Sequence, residues 1–255
     1  MTGRQRAPRP RAILFDLDDT ILSAYGRPEP AWLAVVEEFT AEIAPLSPIE
    51  IVQAVLAESR GMWGDADSHR HWRMQLFEAR RETVARAFAT LASAGRPVPE
   101  RDVGDRIADR FSHSREEQLS LFPDAHAVVD ALKARGLRLA LVTNGETSLQ
   151  RAKVDRFALA QRFDHVQIEG EHGFGKPEER AYLHAMEALG VTAGETWMVG
   201  DNLEWEVVAP QRLGIYAVWH DHLGKGLPEG SDARPDLIIR SLGELLPAVE
   251  VALAE

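Results

Sequence analysis

Three carboxylates follow a short apolar run near the start of the chain. Residues 15–22 read FDLDDTIL, which places Asp16, Asp18 and Asp19 at the end of that run. Residues 12–17 are apolar apart from Asp16, as expected of a strand that is buried on both faces. A surface turn carries such charge at no cost, but at the end of a buried strand so much negative charge needs an explanation from the rest of the chain.

Side chains suited to phosphate and magnesium occur at three later points. They are the Thr143-Asn144-Gly145 turn in LALVTNGE, Lys176 in HGFGKPEE, and Asp201 with Asn202 in MVGDNLEWE. Two carboxylates about 4 Å apart repel each other by about 4 kcal/mol at an effective dielectric constant of roughly 20, so Asp16, Asp18 and Asp201 together would need a bound cation or a retained proton. Oxygen ligands without histidine or cysteine favour Mg²⁺, and a threonine hydroxyl with a lysine ammonium suits phosphate oxygens.

Each of these groups lies at the end of a predicted strand or next to a predicted helix. After the first strand, strands are predicted at 137–142, 165–168, 197–199, 215–219 and 237–239. Helices are predicted at 125–135, 147–156, 177–189, 204–213 and from 242 onward. Strands that alternate with helices form right-handed βαβ units and a parallel sheet, which binds ligands beyond the carboxyl ends of its strands. The predicted fold class is therefore α/β, with a Rossmann-like parallel sheet that collects these motifs at one edge.

The segment between the first two predicted strands has a different pattern. From about residue 30 to residue 113, apolar residues recur with the period of a helix, for example at Trp32, Val35, Val36, Phe39 and Ile43. This pattern predicts about four helices and no sheet. We therefore expect an α/β core made of residues 1–21 and 121–255, interrupted by a helical domain at residues 22–120.

Composition excludes several classes of protein. The 255 residues include 29 basic and 40 acidic side chains, a formal net charge of −11, which argues against nucleic acid as a partner because binding to its backbone depends on Lys and Arg. The absence of cysteine excludes disulfides, thiolate metal sites and thiol catalysis. No apolar stretch approaches the roughly 18 residues of a membrane span, and the N-terminus lacks the apolar region of a secretory signal, so we expect no membrane association and a cytoplasmic location.

Taken together, the motifs resemble those of one enzyme superfamily. The four motifs of the haloacid dehalogenase (HAD) superfamily look like DLDDT at 16–20, the strand-end Thr143, the Lys-Pro pair at 176–177 and GDNLEWE at 200–206. They occur in the expected order, and the resemblance extends from about residue 12 to residue 219. A closer resemblance, to the phosphatase branch with a helical C1 cap, comes from the segments VTNGETSLQ, RFDHVQIEGEHGFGKPE and VGDNL. Within that branch it is similar to pyrimidine 5′-nucleotidases and N-acylneuraminate-9-phosphatases.

This resemblance implies a Mg²⁺-dependent hydrolase of phosphomonoesters that acts on a small phosphorylated metabolite. Asp16 would be the nucleophile that forms an aspartyl-phosphate. Asp18 would protonate the leaving alcohol and then take a proton from the attacking water. Thr143, Asn144 and Lys176 would hold the phosphoryl oxygens, with Thr143 and Lys176 also part of the catalytic set.

The resemblance also implies where Mg²⁺ would bind. Asp16 and Asp201 would supply carboxylates, and Asp18 would supply its backbone carbonyl. The last motif of the family often ends with a second acidic residue four or five positions after the first. The fifth position here is Glu206, which would support the metal site, and Glu204 is a competing candidate for that role.

Asp18 favours a phosphatase over a haloacid dehalogenase, because the dehalogenases of the superfamily lack an acid two residues after the nucleophile, but a dehalogenase is kept as an alternative. A phosphotransferase or phosphomutase shares the aspartyl-phosphate step and stays open, as does a catalytically inert binding protein on this fold. A phospho-receiver signalling domain combines similar residues but is much shorter and has no helical insertion. The sequence identifies neither the substrate nor the oligomeric state.

Overall fold

The chain forms two units, and the second is inserted in the sequence of the first. In the computed structural model, which describes residues 7–254, residues 7–23 and 120–254 form an α/β unit. Ala24–Leu119 forms a helical unit. None of the helices in this described part of the chain is long and apolar enough to cross a membrane.

The helical unit contains five helices, where the periodicity predicts about four. They are α1 (Pro28–Glu37), α2 (Pro48–Gly64), α3 (Ala66–Trp72), α4 (Leu76–Ser93) and α5 (Arg101–Gln118). The additional helix α3 forms because Asp65 breaks α2 and caps the next helix, accepting a hydrogen bond from the backbone N–H of Ser68 at 2.8 Å. In the core of this unit, Trp32 of α1 stacks on Phe111 of α5 with ring centroids 3.5 Å apart.

The α/β unit is built on a parallel sheet. Its strands are β1 (Ala12–Phe15), β2 (Leu22–Ser23), β3 (Ser120–Leu121), β4 (Arg138–Thr143), β5 (His165–Ile168), β6 (Thr196–Gly200), β7 (Tyr216–His220) and β8 (Leu237–Ile239). All but β2 and β3 form one six-stranded parallel sheet in the order β5-β4-β1-β6-β7-β8. Phe15, the last residue of β1, is in register with Leu141 of β4 and Val199 of β6. The residues that follow these three strands therefore begin at the same edge of the sheet.

Helices cover both faces of this sheet. They are α6 (Ala125–Ala134), α7 (Thr147–Arg156), α8 (Glu169–His172), α9 (Glu179–Leu189), α10 (Ala209–Arg212) and α11 (Leu245–Leu253). Ile13 and Phe15 of β1 pack in a cluster with α6, α7 and α11, whereas Ala12 and Leu14 pack in a cluster with α9 and α10. All four residues are completely buried, which explains why β1 is apolar at every position.

The structure departs from the predicted elements at short segments. β1 ends at Phe15, two residues before its predicted end, because the chain turns there and two later backbone N–H groups donate to the carbonyl of Leu17 at 2.9 Å. The helix predicted at 204–213 is a π-helical segment, Leu203–Val208, followed by α10. The antiparallel pair β2–β3 was not predicted, because two-residue strands carry no periodic signal.

Candidate active site

The predicted nucleophile lies next to the predicted phosphate-binding lysine. Asp16 follows β1, and its Oδ1 accepts a hydrogen bond from Nζ of Lys176 at 2.6 Å. Lys176 is completely buried, and its Nζ also lies 2.8 Å from Oε1 of Glu206. One buried ammonium group therefore joins two carboxylates that come from different strand ends.

Burial and neighbouring charges of opposite sign shift the pKa of each of these three groups in opposite directions. Burial lowers the pKa of Lys176, but the negative charges of Asp16 and Glu206 outweigh this effect and the pKa is raised. Burial also raises the pKa of Asp16, and it raises that of Glu206 to about 7, although Lys176 opposes both shifts. Lys176 is therefore held as a charged ammonium beside Asp16, as the binding of a phosphoryl group requires.

The two candidate glutamates of the last motif occupy different environments. Glu206 is completely buried, and its Oε2 accepts a hydrogen bond from the backbone N–H of Asn202 at 2.8 Å. Glu204 is exposed and lies 3.4 Å from Arg212. A Cβ at Gly200 would lie 2.1 Å from Cγ of Glu206, so the glycine at the end of β6 makes room for this side chain. Glu206, rather than Glu204, therefore lies beside Lys176.

Asp201 follows β6 and lies in strongly negative surroundings. Burial raises the pKa of Asp201 well above its usual value, and the charges of Asp16, Glu206 and Asp19 raise it further, while Lys176 opposes the shift. The carboxylates at this strand end thus carry more negative charge than one lysine offsets.

The donor atoms at this edge suit a hard cation. The carboxylates of Asp16 and Asp201 repel each other, and a cation bound between them would relieve this repulsion. Within residues 7–254, no group of three or more histidine, cysteine, aspartate or glutamate side chains is placed to hold a metal ion. Mg²⁺ is typically bound by one or two carboxylates with water and substrate oxygens, so the oxygen donors of Asp16 and Asp201 fit Mg²⁺.

Asp18, the predicted acid and base, contacts two side chains that the sequence analysis did not single out. Each of its carboxylate oxygens lies 2.8 Å from Nζ of Lys153. Nε2 of Gln150 donates to Oδ2 of Asp18 at 3.1 Å. Both partners are buried on α7, three positions apart on one face. Their spacing on a predicted helix directly after the Thr143 motif is the signal that could have found them.

Thr143 and Asn144, at the end of β4, have different partners. Oγ1 of Thr143 accepts a hydrogen bond from Nε2 of Gln150 at 2.5 Å. The Asn144 side chain binds the backbone of Lys176, donating to its carbonyl at 2.7 Å and accepting from its N–H at 2.9 Å. Asn144 therefore positions the Lys176 segment, and a phosphate contact from this residue would use its backbone N–H.

Glu169, which the sequence analysis also missed, supports the same segment. It lies buried at the start of α8, and its Oε2 accepts a hydrogen bond from the backbone N–H of Gly145 at 3.0 Å. A Cβ at Gly175 would lie 2.6 Å from Oδ1 of Asn144 and 2.7 Å from Cδ of Glu169. Glycine before Lys176 thus allows this segment to approach the end of β4 closely enough for the Asn144 contacts.

Comparisons with known proteins agree with these motifs. A family model described as haloacid dehalogenase-like hydrolase matches residues 10–214. The chain is 32% identical over 255 residues to a phosphoserine phosphatase of Thermus thermophilus, with 93% of this chain and 98% of that protein covered. It is 28% identical to the N-acylneuraminate-9-phosphatase of Rattus norvegicus, with 93% and 92% covered. The fold is similar to that of a magnesium-bound HAD hydrolase, YfnB of Bacillus subtilis, with a TM-score of 0.66, 24% identity, and 94% and 99% of the two chains covered.

The family match includes every motif that the sequence analysis identified. Residues 10–214 extend from before Asp16 to beyond Glu206 and therefore contain all four motifs. The match covers well over half of the chain, and the phosphoserine phosphatase aligns over nearly the full length of both proteins. The resemblance inferred from the motifs is confirmed: the chain belongs to the haloacid dehalogenase-like hydrolases.

Proposed function

We propose that this enzyme is a Mg²⁺-dependent phosphomonoester hydrolase that acts on a small phosphorylated metabolite through an aspartyl-phosphate intermediate. The observation that carries the proposal is the pair of carboxylates after β1, each held by its own buried lysine. Asp16 is paired with Lys176, and Asp18 with Lys153. The names of the two relatives, both phosphatases, support the same reaction class.

In the first half-reaction, a carboxylate oxygen of Asp16 forms a bond to phosphorus as the bond from phosphorus to the leaving oxygen breaks. Asp18 gives its proton to that leaving oxygen, so an alcohol departs. Lys176 and the hydroxyl of Thr143 bind the phosphoryl oxygens and stabilise the charge that develops on them. The Asn144 contacts keep Lys176 in place for this role.

In the second half-reaction, water attacks the phosphorus of the aspartyl-phosphate. A proton of the water passes to Asp18 as the new bond forms, and the bond from phosphorus to Asp16 breaks. Inorganic phosphate is released, and both aspartates return to their starting states.

The carboxylates of Asp16 and Asp201 and the backbone carbonyl of Asp18 would hold Mg²⁺. When bound, Mg²⁺ offsets the negative charge of the phosphoryl group. Glu206 would hold these residues in place, because it contacts both Lys176 and the backbone N–H of Asn202, the residue after Asp201.

We also propose that residues 22–120 form the cap domain that selects the substrate. Ala24–Leu119 is a compact helical unit, and it enters the sequence directly after the Asp16 motif. The substrate-selecting residues of this proposal therefore lie outside the four motifs.

The experiment that tests the proposed function measures phosphate release from p-nitrophenyl phosphate, with and without Mg²⁺, by the wild type and the Asp16→Asn variant. We expect Mg²⁺-dependent release that is lost in this variant, because an amide is not a nucleophile at phosphorus. The Asp232→Asn variant, with the same change at an exposed position outside the four motifs, is the matched control and should retain activity.

A panel of phosphorylated nucleotides, sugars and sugar acids extends the test to natural esters. Full activity of the Asp16→Asn variant would contradict the assignment of the nucleophile. Transfer of the phosphoryl group to an added alcohol or sugar phosphate in preference to water would indicate a transferase. No turnover across the artificial ester and the panel would overturn the proposed function.

A further inference from the structure

A second buried lysine lies at the candidate site beside the one that the motifs predict. Lys153 is only 3% exposed, and its Nζ lies 2.8 Å from both carboxylate oxygens of Asp18. Burial of an ammonium group is costly unless it is paired. The two equal contacts place the ammonium between the carboxylate oxygens rather than against one of them.

Gln150 connects the same carboxylate to the end of β4. Its Nε2 donates to Oδ2 of Asp18 at 3.1 Å and to Oγ1 of Thr143 at 2.5 Å. Gln150 is also only 3% exposed. Because Gln150 and Lys153 lie three positions apart on α7, one helix face binds both Asp18 and Thr143.

We propose that Lys153 and Gln150 are positioning residues that hold Asp18 for both of its proton transfers. This inference rests on the proposed function. In the first half-reaction the proton of Asp18 passes to the leaving oxygen as its bond to phosphorus breaks, and Asp18 becomes a carboxylate that Lys153 holds. In the second, that carboxylate takes a proton from the attacking water as the bond from phosphorus to Asp16 breaks. Gln150 holds Asp18 at a fixed position relative to Thr143, which binds the phosphoryl group.

The role of a positioning residue depends on the leaving group. An alkoxide needs a proton to depart, so a misplaced Asp18 slows the cleavage of an alkyl phosphate. The p-nitrophenolate ion departs without one, so the same misplacement has a smaller effect on p-nitrophenyl phosphate. Because kcat/KM reports the steps up to the departure of the leaving group, it isolates this difference from the hydrolysis of the phosphoenzyme.

The test compares kcat/KM for p-nitrophenyl phosphate and for an alkyl phosphate taken from the substrate panel. We expect the Lys153→Met variant to lose about a hundred-fold on the alkyl ester and less than about ten-fold on the aryl ester. With p-nitrophenyl phosphate, phosphoenzyme should accumulate in this variant in rapid-quench experiments, because its formation is little affected whereas Asp18 also activates the water. Lys153→Arg, which keeps the charge, should recover part of the loss.

Lys133→Met is the matched control. It removes a lysine–aspartate pair of similar length, 2.7 Å to Asp164, from an exposed position in the same unit. We expect both esters to be cleaved by this variant as by the wild type. If Lys153→Met does not fold, Gln150→Leu provides the same test, because it removes both Nε2 contacts at nearly constant volume.

An equal loss on both esters in the Lys153 and Gln150 variants, or no loss, would overturn the inference and leave the proposed function intact. An equal loss with a lower melting temperature would mean that the pair serves only the fold. Absence of turnover in the wild type would instead overturn the proposed function, and this inference with it.

Discussion

Ion pairs in the helical unit and at the active edge of the sheet both join a basic side chain to an aspartate, but in opposite environments. In the helical unit, Arg81 lies 2.7 Å from Asp109, with the two side chains 36% and 33% exposed. At the sheet edge, Lys176 lies 2.6 Å from Asp16, with the lysine completely buried. The distances are nearly equal, so the difference lies in the surrounding solvent.

Solvent exposure therefore distinguishes ion pairs at the protein surface from ion pairs that belong to the candidate active site. An exposed pair contributes about 0–1 kcal/mol because water screens it. A buried pair has lost the hydration of both charges, so it adds little net stability, but removing one partner leaves a charge unpaired. Lysines buried beside the aspartates of this edge, such as Lys176 and Lys153, therefore support the proposed catalytic role rather than a role in stability.

The largest effect is expected from removal of the buried ammonium in the Lys176→Met variant. Asp16 and Glu206 would then face each other without a cation, which should destabilise the fold by about 3–5 kcal/mol. Phosphate release should fall by at least about a hundred-fold because a phosphoryl ligand is lost. Urea unfolding and steady-state kinetics measure the two effects. Lys225→Met, at an exposed position, is the control. Equal losses of stability and activity in the two variants would contradict the distinction between buried and exposed charges.

A smaller effect is expected when the charge of Glu206 is removed at constant shape. The Glu206→Gln variant leaves Lys176 with one fewer negative partner and should lose about 2–3 kcal/mol of stability and about ten-fold in turnover. Glu204→Gln is the same change two positions away at an exposed site, and it should stay within about 0.5 kcal/mol of the wild type. Chemical denaturation of both variants measures this contrast. Similar losses in both would contradict the assignment of Glu206 as the buried partner.

The pH dependence of stability offers a third comparison of buried and exposed groups. Burial, with His222 nearby, lowers the pKa of His220 to about 4. Above pH 6.5 the imidazole is neutral in both states, and as the pH falls toward 4 the unfolded chain takes up a proton that the folded chain does not. His220 should therefore reduce stability by up to about 2 kcal/mol between pH 7 and pH 5.

Thermal denaturation across this pH range measures the effect of His220. The His220→Phe variant should show a correspondingly weaker pH dependence than the wild type. The His113→Gln variant changes an exposed histidine and is the control. A wild-type pH profile in the His220→Phe variant would show that other groups cause the loss of stability.

The smallest effect is expected at the exposed pair itself. Arg81→Ala should cost no more than about 1 kcal/mol, and the cost should shrink further at high salt because exposed charges are screened. Phosphate release should be unchanged. Unfolding at low and high ionic strength measures this effect, and a loss comparable to that of Lys176→Met would refute the division into exposed and buried pairs.

Much of the α/β architecture was predictable because its signals are local. The predicted helix at 147–156 coincides with α7, and the predicted strands at 165–168 and 237–239 coincide with β5 and β8. Apolar runs and helical periodicity depend only on neighbouring residues, so one sequence is enough to find them. The π-helical segment Leu203–Val208 replaced a predicted α-helix because the difference between the two depends on hydrogen bonds rather than on apolar spacing.

The candidate site, like the fold, could be predicted from the sequence only in part. The residue types of Asp16, Asp18, Lys176 and Asp201 could be read from the sequence, and together they were sufficient to predict the family that the comparisons confirmed. For Lys153 the sequence offered only its spacing from Gln150 on the predicted helix, and it did not identify Asp18 as the partner, because that contact joins residues 135 positions apart.

The sequence by itself determined which chemical groups are present, which elements carry them and to which family the chain belongs. Only the tertiary structure decided that Glu206 rather than Glu204 is buried beside Lys176, that Asn144 binds the Lys176 backbone, and that Lys153 pairs with Asp18. The physical reason is that burial and pairing depend on which strand ends and helix faces meet in space, whereas composition and periodicity describe only neighbours along the chain.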